Sequence, residues 1–449
     1  MIWRELPTVE SAFDLYQAVA HKYRRSFLLE SAQGPERMVQ HSFIGFDPRH
    51  TLTYRGGELR QDGHPVPTPQ GPLPYLRGLL RKYWVDDQSH KFVGGLVGYV
   101  SYDFLRNFEE LPDARSTLEL FPDFELGLYL DGIIFDYVRR KTWYFSQGED
   151  RGAEIEALAR ESRGPEDLQI GALEDEIGQE RFERWVREAK GEIARGEIYQ
   201  VVLSRRLRTP YTGDLLGVYQ ELRRINPSPY MYLLDFDARK VVGSSPEMLV
   251  SVVGRSAVSY PIAGTRPLGG TPEEQARLRA ELLADAKERA EHEMLVDLAR
   301  NDLGRVCTFR TVRVTEHMAV ETFSHVQHLV SRVEGELEEG RDAFDAFLAL
   351  FPAGTVSGAP KLRAMEIIDR LEPHRRGPYA GVVGYFSFNG NMDSAITIRT
   401  LVAANHMLYL QAGAGIVADS EPAREWDETE AKFAVLRQAL EHATQEAGS

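Results

Sequence analysis

Residues 94–103 read GGLVGYVSYD and residues 380–389 read AGVVGYFSFN, two runs that share the pattern G-hydrophobic-V-G-Y-hydrophobic-S-aromatic-polar. Interleaved glycine, β-branched and aromatic residues fit a pleated, half-buried strand. Either β-alternation alone produces the echo, or it marks two half-molecules that place equivalent strands in facing sheets. Around these runs lie more strand-like segments, such as FELGLYLDGIIFDYVRRKTWYF (124–145) and SAITIRT (394–400), separated by helical patterns of ordinary length. Long connections between alternating strands point to an α+β fold. Large mixed or antiparallel sheets flanked by helices are expected, not a doubly wound parallel sheet.

Further out, GEDRGAEIEALARESRGPEDLQIGALEDE (148–176) has charge runs and a Gly-Pro pair but no large aromatic, which marks a boundary. The expected organisation is an amino-terminal region 1–147, a helix and linker 148–178, a main region 179–443 and a flexible tail 444–449. A chain of 449 residues holds two or three ordinary domains or one large intertwined one. The net charge of −15 argues against nucleic acid or an anionic membrane as partner. Cys307 is the only cysteine, so no intrachain disulfide or Cys-rich zinc site can form, and a reducing compartment is expected. Its surroundings, GRVCTFR, show no nucleophile-elbow pattern. The start, MIWRELPTVESAF, lacks the parts of a secretory signal, and no run reaches the length of a membrane span. A soluble cytoplasmic protein is expected.

Two helical stretches carry charge where packing would be expected. In DAKERAEHEMLVDLARNDLGRV (285–306), Glu288 and Glu291 share a face with Leu295 and Leu298. In EPAREWDETEAKFAVLRQAL (421–440), Glu425, Glu428 and Lys432 continue into Val435, Leu436 and Ala439. Each ExxE pair would then lie on the core-facing stripe, where a carboxylate is costly unless matched by a cation. Two such pairs invite a hard divalent ion with oxygen ligands; the plainer alternative has them curl to solvent.

The loop PAGTVSGAPK (352–361) misses the GxxxxGK[ST] spacing, so no nucleotide site is expected. It offers small residues for close backbone approach and the hydroxyls of Thr355 and Ser357. QAGAGIV (411–417) can present the N–H groups of Gly413 and Gly415 to a carboxylate, unless its glycines mark only a bulge. Arg399, if buried, needs an anion from the protein or from a ligand; otherwise it stands at a strand edge. His328, flanked by Val326, Leu329 and Val330, is either a core histidine or a proton carrier near neutrality.

YPIAGTRP (260–267), the 285–306 stretch, LFPAGTVSGAPKLRAMEIID (350–369), GVVGYFSFNGNMDSAITIRT (381–400) and QAGAGIVADSEPAREWDETEAK (411–432) resemble, in order, the chorismate-binding enzymes. SFLLES (26–31) and HSFIGFDP (41–48) extend the likeness to the amino-terminal region of the anthranilate synthase component I branch. The resemblance implies two intertwined halves and a Mg2+ ion joining Glu291 and Glu428 to the ring carboxylate of chorismate, with Glu288 and Glu425 close by. It implies Tyr379 and Arg399 on the enolpyruvyl carboxylate, and the backbone of Gly413, Ala414 and Gly415 against a substrate carboxylate. Thr355 and Lys432 would hold the same network, and Thr265 would touch substrate. Glu247 would assist departure of the ring hydroxyl, and His328 would serve the later elimination of pyruvate.

Two positions separate the branches. Isochorismate- and salicylate-forming members resemble this chain but carry a water-activating lysine where it has Gln200, which cannot take a proton near neutrality. Aminodeoxychorismate-forming members carry a lysine where it has Ala263. An external nucleophile is then needed. Ammonia, released from glutamine by a partner amidotransferase subunit, fits an anthranilate-forming enzyme. The alternatives are enzymes making 2-amino-2-deoxyisochorismate or aminodeoxychorismate, and a tryptophan- or chorismate-binding regulatory protein, although the last would be expected to lose its carboxylates. Leu28-Leu29-Glu30-Ser31 and Asn226-Pro227-Ser228-Pro229-Tyr230-Met231 resemble the stretches that enclose tryptophan as feedback inhibitor. Ser31, Pro229, Tyr230 and Met231 are the implied contacts, and Gln40-His41 stand where the family commonly reads Arg-Tyr.

Overall fold

The computed structural model describes all residues except 8, 10, 35–38, 112–120, 162, 324–325 and 447–449. Its described strands form two large sheets, of thirteen and twelve strands, in which every pairing is antiparallel. Each sheet crosses once from amino-terminal to carboxy-terminal strands. In the first, Arg25–Glu30 pairs with Tyr230–Phe236; in the second, Gly95–Val100 pairs with Val382–Ser387. The halves are intertwined because each supplies strands to both sheets.

The echoed strands therefore do not occupy facing sheets. They are neighbours at the seam of one sheet, with Gly98 directly opposite Gly384. A Cβ on Gly98 would lie 2.1 Å from the Glu125 carbonyl oxygen, and one on Gly384 2.2 Å from that of Asp393. The repeated glycine marks a rung too crowded for a side chain.

Alternation along the strands sorts the core into layers. On Tyr230–Phe236, Met231 and Leu233 pack toward helices, while Tyr232 and Leu234 join Phe27, Phe43 and Tyr385 between the sheets. The helices Ala12–Lys22, Leu216–Ile225 and Pro422–Glu446 cover the outer face of the first sheet. Leu73–Lys82, Ala343–Leu350 and part of Ala286–Gly304 cover that of the second. The architecture is α+β: helices, sheet, sheet, helices.

The 148–178 segment forms a short helix, Gly152–Leu158, and two brief strands against Gln200–Thr212. Its acidic end is bound through charge. Asp175, Glu176 and Glu174 meet Arg205, Arg206 and Arg208 at 2.6, 2.5 and 2.9 Å. Of the expected tail, residues 444–446 continue the last helix and 447–449 lie outside the described residues. Among the described residues, no helix is long and apolar enough to cross a membrane.

Candidate active site

The Ala286–Gly304 helix starts at Asp285, whose carboxylate accepts the N–H groups of Lys287 and Glu288. Its buried stripe runs through His292, Val296, Ala299 and Leu303, one step round from the stripe expected to reach the core. Glu288 and Glu291 are half-buried beside it. Leu295 and Leu298 line a cleft of about 390 Å3 together with Glu247, Gly354, Thr355 and Ile396. A carboxylate stays at the rim of a core unless matched, so the more apolar stripe is buried and the acidic one reaches the cleft through Leu295 and Leu298. On Pro422–Glu446, likewise, Phe433, Leu436, Ala439 and Leu440 are buried, whereas the side chains of Glu428 and Lys432 are 48% and 40% exposed.

Glu247 lies just before the strand Met248–Val253 and is half-buried in the wall of the cleft. Burial raises its carboxyl to about 7, against the pull of Thr355, Arg399 and Lys432, all of which favour the charged form. The Thr355 hydroxyl faces it, buried without a well-formed hydrogen bond of its own. Arg399 sits in left-handed backbone at φ 50° between the strands Met392–Ile396 and Thr400–Ala404. Such strain, roughly 1–3 kcal/mol, persists where the surroundings enforce it. Burial weighs against the Arg399 charge and Glu247 supports it, so its anion on the protein side is Glu247.

His328, on the strand Val326–Glu336, is buried with Nδ1 2.8 Å from the Gly264 carbonyl and 3.1 Å from the Thr265 hydroxyl. A carbonyl only accepts, so Nδ1 carries the hydrogen and Nε2 is the basic nitrogen of the neutral ring. Burial lowers the pKa of His328, the Gly264 bond opposes this and Arg399 adds to it. The ring is held in its neutral form.

Lys432 ties the second carboxylate helix to the glycine strand, its Nζ 2.7 Å from both the Gly413 carbonyl and Glu428. The strand Met407–Ile416 pairs with Gln200–Thr212 in unbroken register, so its glycines are not a bulge. On its other side, pairing with Thr400–Ala404 stops at Leu410 and leaves an open edge. The N–H and C=O of a strand residue point the same way. Gly413, whose carbonyl meets Lys432, thus turns its N–H to that edge, Gly415 does the same, and Ala414 faces the paired side. A Cβ on Gly413 would come 2.8 Å from the Tyr379 hydroxyl, and one on Gly415 2.7 Å from the Gln200 amide nitrogen. Tyr379 is buried against this strand; burial pushes its phenol up, Arg376 opposes, and Glu372 and Glu428 add to the rise.

The two tryptophan-motif stretches adjoin. Met231 lies opposite Glu30, and the Ala32 N–H bonds the Ser228 carbonyl at 3.2 Å. Tyr230 turns inward, its hydroxyl 3.2 Å from Asp393, while Met231 turns to the helix layer. Neighbours on a strand must face opposite ways. Pro229 abuts Gly34, and Ser31 lines an open cavity with Glu30, Arg223 and Pro227. The four residues are adjacent, but their side chains do not face one point.

Among the described residues, no three Asp, Glu, His or Cys side chains close round a single point. The donor set nevertheless fits a hard cation, being carboxylate oxygen throughout. Glu291 and Glu425 are both held above the ordinary carboxylate range, by burial first and then by Glu288 and Glu428 respectively. Lys287, 3.6 Å from Glu291, lowers both. Its role was open to inference from its i,i+4 spacing to Glu291. Arg266, 2.7 Å from Asp285 and 3.3 Å from Glu288, gives no such sign, because its partners are brought to it by tertiary structure. Cys307 is buried and its thiol is pushed up to about 11, so it is a core residue and not a nucleophile.

An antiparallel α+β scaffold with these carboxylate helices, a half-buried glutamate–arginine pair and an open glycine edge defines the class: the sequence matches chorismate binding enzyme over residues 24–438, and the chain belongs to that family. Within it, anthranilate synthase component 1 of Methanothermobacter thermautotrophicus is 47% identical, over 96% of this chain and 92% of that protein. The Aquifex aeolicus protein of the same name is 43% identical over 97% and 93%. The crystal structure of anthranilate synthase component I from Streptococcus pneumoniae matches with a TM-score of 0.82 at 37% identity, covering 89% of this chain and 92% of that one. A menaquinone-specific isochorismate synthase from Escherichia coli, at 22% identity and a TM-score of 0.75, shares the fold.

Folded, Glu247 keeps its proton up to about pH 7, whereas an unfolded glutamate releases it near 4.5. Between these values the folded state binds more protons, so the contribution of this group to stability falls as pH rises toward 7. Glu247→Gln cannot ionise. It should be more stable than wild type at pH 8, by on the order of 1–3 kcal/mol, and lose that advantage at pH 5. Calorimetric scans at the two pH values check this; no gain at pH 8 would contradict a desolvated, ionising Glu247.

Proposed function

We propose that the chain is the chorismate-aminating component of an anthranilate synthase. Ammonia adds at C2 of chorismate as the C4 hydroxyl leaves, and pyruvate is then eliminated to give anthranilate. The carrying observation is the pair Gln200 and Ala263. The Gln200 amide lies against Gly415, and Ala263 pairs with Leu329, next to His328. Neither position supplies a base or a nucleophile, so the incoming group comes from outside the chain.

The other residues take roles their surroundings favour. Glu247, protonated up to about pH 7, gives a proton to the departing hydroxyl. Arg399 and Tyr379 hold the enolpyruvyl carboxylate, the N–H groups of Gly413 and Gly415 hold a substrate carboxylate, and Thr265 and Thr355 offer hydroxyls. His328 Nε2 then takes the C2 proton as the enolpyruvyl oxygen leaves and the ring becomes aromatic. Glu291 and Glu428, with Glu288 and Glu425 beside them, would hold Mg2+, which when bound draws negative charge toward the ring carboxylate. The component 1 name of the relatives and the buried Cys307 support a separate amidotransferase partner that releases ammonia from glutamine. A sole, reduced thiol fits work in the cytoplasm.

The purified chain should make fluorescent anthranilate from chorismate, Mg2+ and ammonium, and none when glutamine replaces ammonium. Glu291→Gln and Glu428→Gln should each cut the rate on the order of 100-fold; near-normal turnover in both would sink the metal assignment. In His328→Ala, mass spectrometry should reveal an aminated, pyruvate-bearing intermediate. If chorismate consumption stopped altogether, His328 would belong to the first step.

The adjoining motifs support a tryptophan site in which Ser31, Pro229 and Tyr230 present side chains and Met231 contributes backbone beside Glu30. Tryptophan should inhibit the ammonia-dependent reaction, and Ser31→Leu should need at least about tenfold more of it, ~1.4 kcal/mol. Equal inhibition of the two proteins would remove Ser31 from this role.

A further inference from the structure

We infer that His292 is a positioning residue for the carboxylates Glu288 and Glu291, acting through its hydrogen bond to Ser331; the inference rests on the metal reading of those carboxylates. In the Ala286–Gly304 helix the buried residues are His292, Val296, Ala299, Asp302 and Leu303. All but His292 lie beyond residue 295. The half that carries Glu288 and Glu291 therefore buries one side chain, and that side chain is polar. No fully buried apolar side chain holds this half down. What does so is His292, helped by the part-exposed pairs of Arg266 and Lys287.

His292 and Ser331 are both 0% exposed, with Nε2 2.7 Å from the Ser331 Oγ. Nδ1 has no hydrogen-bond partner, so the ring is fixed through Nε2 alone. Ser331 is a junction. Its Oγ accepts the Met318 N–H at 2.9 Å, where the strand Arg313–Thr322 bulges and Met318 takes φ 51°. Its own N–H reaches the Pro261 carbonyl at 3.1 Å, at the root of the strand that carries Gly264 and Thr265. It also stands on the same strand as His328. A helix turns about 100° per residue, so holding His292 inward sets Glu291 one step round, at the half-buried edge of the helix. Glu288, one turn back, lies nearly above His292. Through Ser331, then, the carboxylates are indexed to the strand of the basic histidine. Without that bond, the first half of the helix has little to keep it from opening locally.

The test uses full-length protein, with Mn2+ as the probe read by electron paramagnetic resonance and with amide hydrogen exchange in metal-free buffer. Ser331→Ala and His292→Leu should weaken Mn2+ binding about tenfold and speed exchange at residues 286–295 but not at 296–304. His292→Gln, whose amide can replace Nε2, should restore most of the affinity. If His292→Leu does not fold, Ser331→Ala decides alone. Unchanged affinity in Ser331→Ala overturns the inference, including the case where exchange rises and the bond merely supports the fold. Wild-type protein that binds no Mn2+ would instead sink the metal reading, and an unchanged exchange pattern in Ser331→Ala would then overturn the positioning role as well.

Discussion

Two pairs of carboxylates, Glu288 with Glu291 and Glu425 with Glu428, each repel within the pair and are kept partly buried all the same, and much of the molecule answers to that constraint. Two like charges 4 Å apart at an effective dielectric of 20 cost about 4 kcal/mol. Each fully buried Leu or Phe returns about 1.5–3 kcal/mol, so the apolar residues buried further along each helix anchor it as a whole against the repulsion. The first helix has Val296, Ala299 and Leu303 in the core over the second sheet; the second helix has Phe433, Leu436 and Leu440 in the core over the first. The second helix is also clamped by Arg205, fully buried, bonded to Thr429 at 2.8 Å and to Asp175 at 2.6 Å, and 3.6 Å from the Trp426 ring centroid.

Because the two helices belong to different sheets, the gap between the carboxylate pairs is set by how those sheets pack. The aromatic layer of Phe27, Phe43, Tyr232 and Tyr385 is what fixes that packing. Its residues come from both ends of the sequence. The intertwining of the halves thus bears on the site directly: a shift in the amino-terminal strands alters the spacing of two helices that they do not contain.

The fold class could be read from the chain because alternation and glycine placement are local signals. Strand partners could not. A period of two assigns faces but not neighbours, so GGLVGYVSYD and AGVVGYFSFN suggest facing sheets when they in fact share a rung at Gly98 and Gly384. The buried face of the first carboxylate helix is displaced by one step for a related reason. Leu295 and Leu298 continue the acidic stripe as convincingly as Val296 and Ala299 continue the true one, and the true face is the one on which His292 meets Ser331, a tertiary contact that periodicity does not reveal. At the site, the paired carboxylates, Arg399 and the glycine strand announce themselves through pattern. Glu247, Tyr379 and Lys432 stand singly in the sequence and enter only by family likeness, since what makes each of them notable is burial or a partner far away.

The corner proposed for tryptophan and the acid proposed for catalysis sit on one hairpin. Tyr230 lies opposite Ser245, whose hydroxyl is 3.3 Å from the Glu247 N–H. The next residue back, Ser244, bonds its N–H to the Arg399 carbonyl at 3.2 Å. Tyr230 cannot shift far without moving Ser245. Arg399, already at φ 50°, has little room to absorb a change at Ser244. A ligand alters a distant group only by preferring one of two arrangements, and here both arrangements would be positions of a single pair of strands. An inhibitor held at Ser31 and Tyr230, as proposed, would therefore reach the proposed acid Glu247 and the proposed carboxylate-binding Arg399 together, through one rung of a ladder, with no longer chain of contacts required.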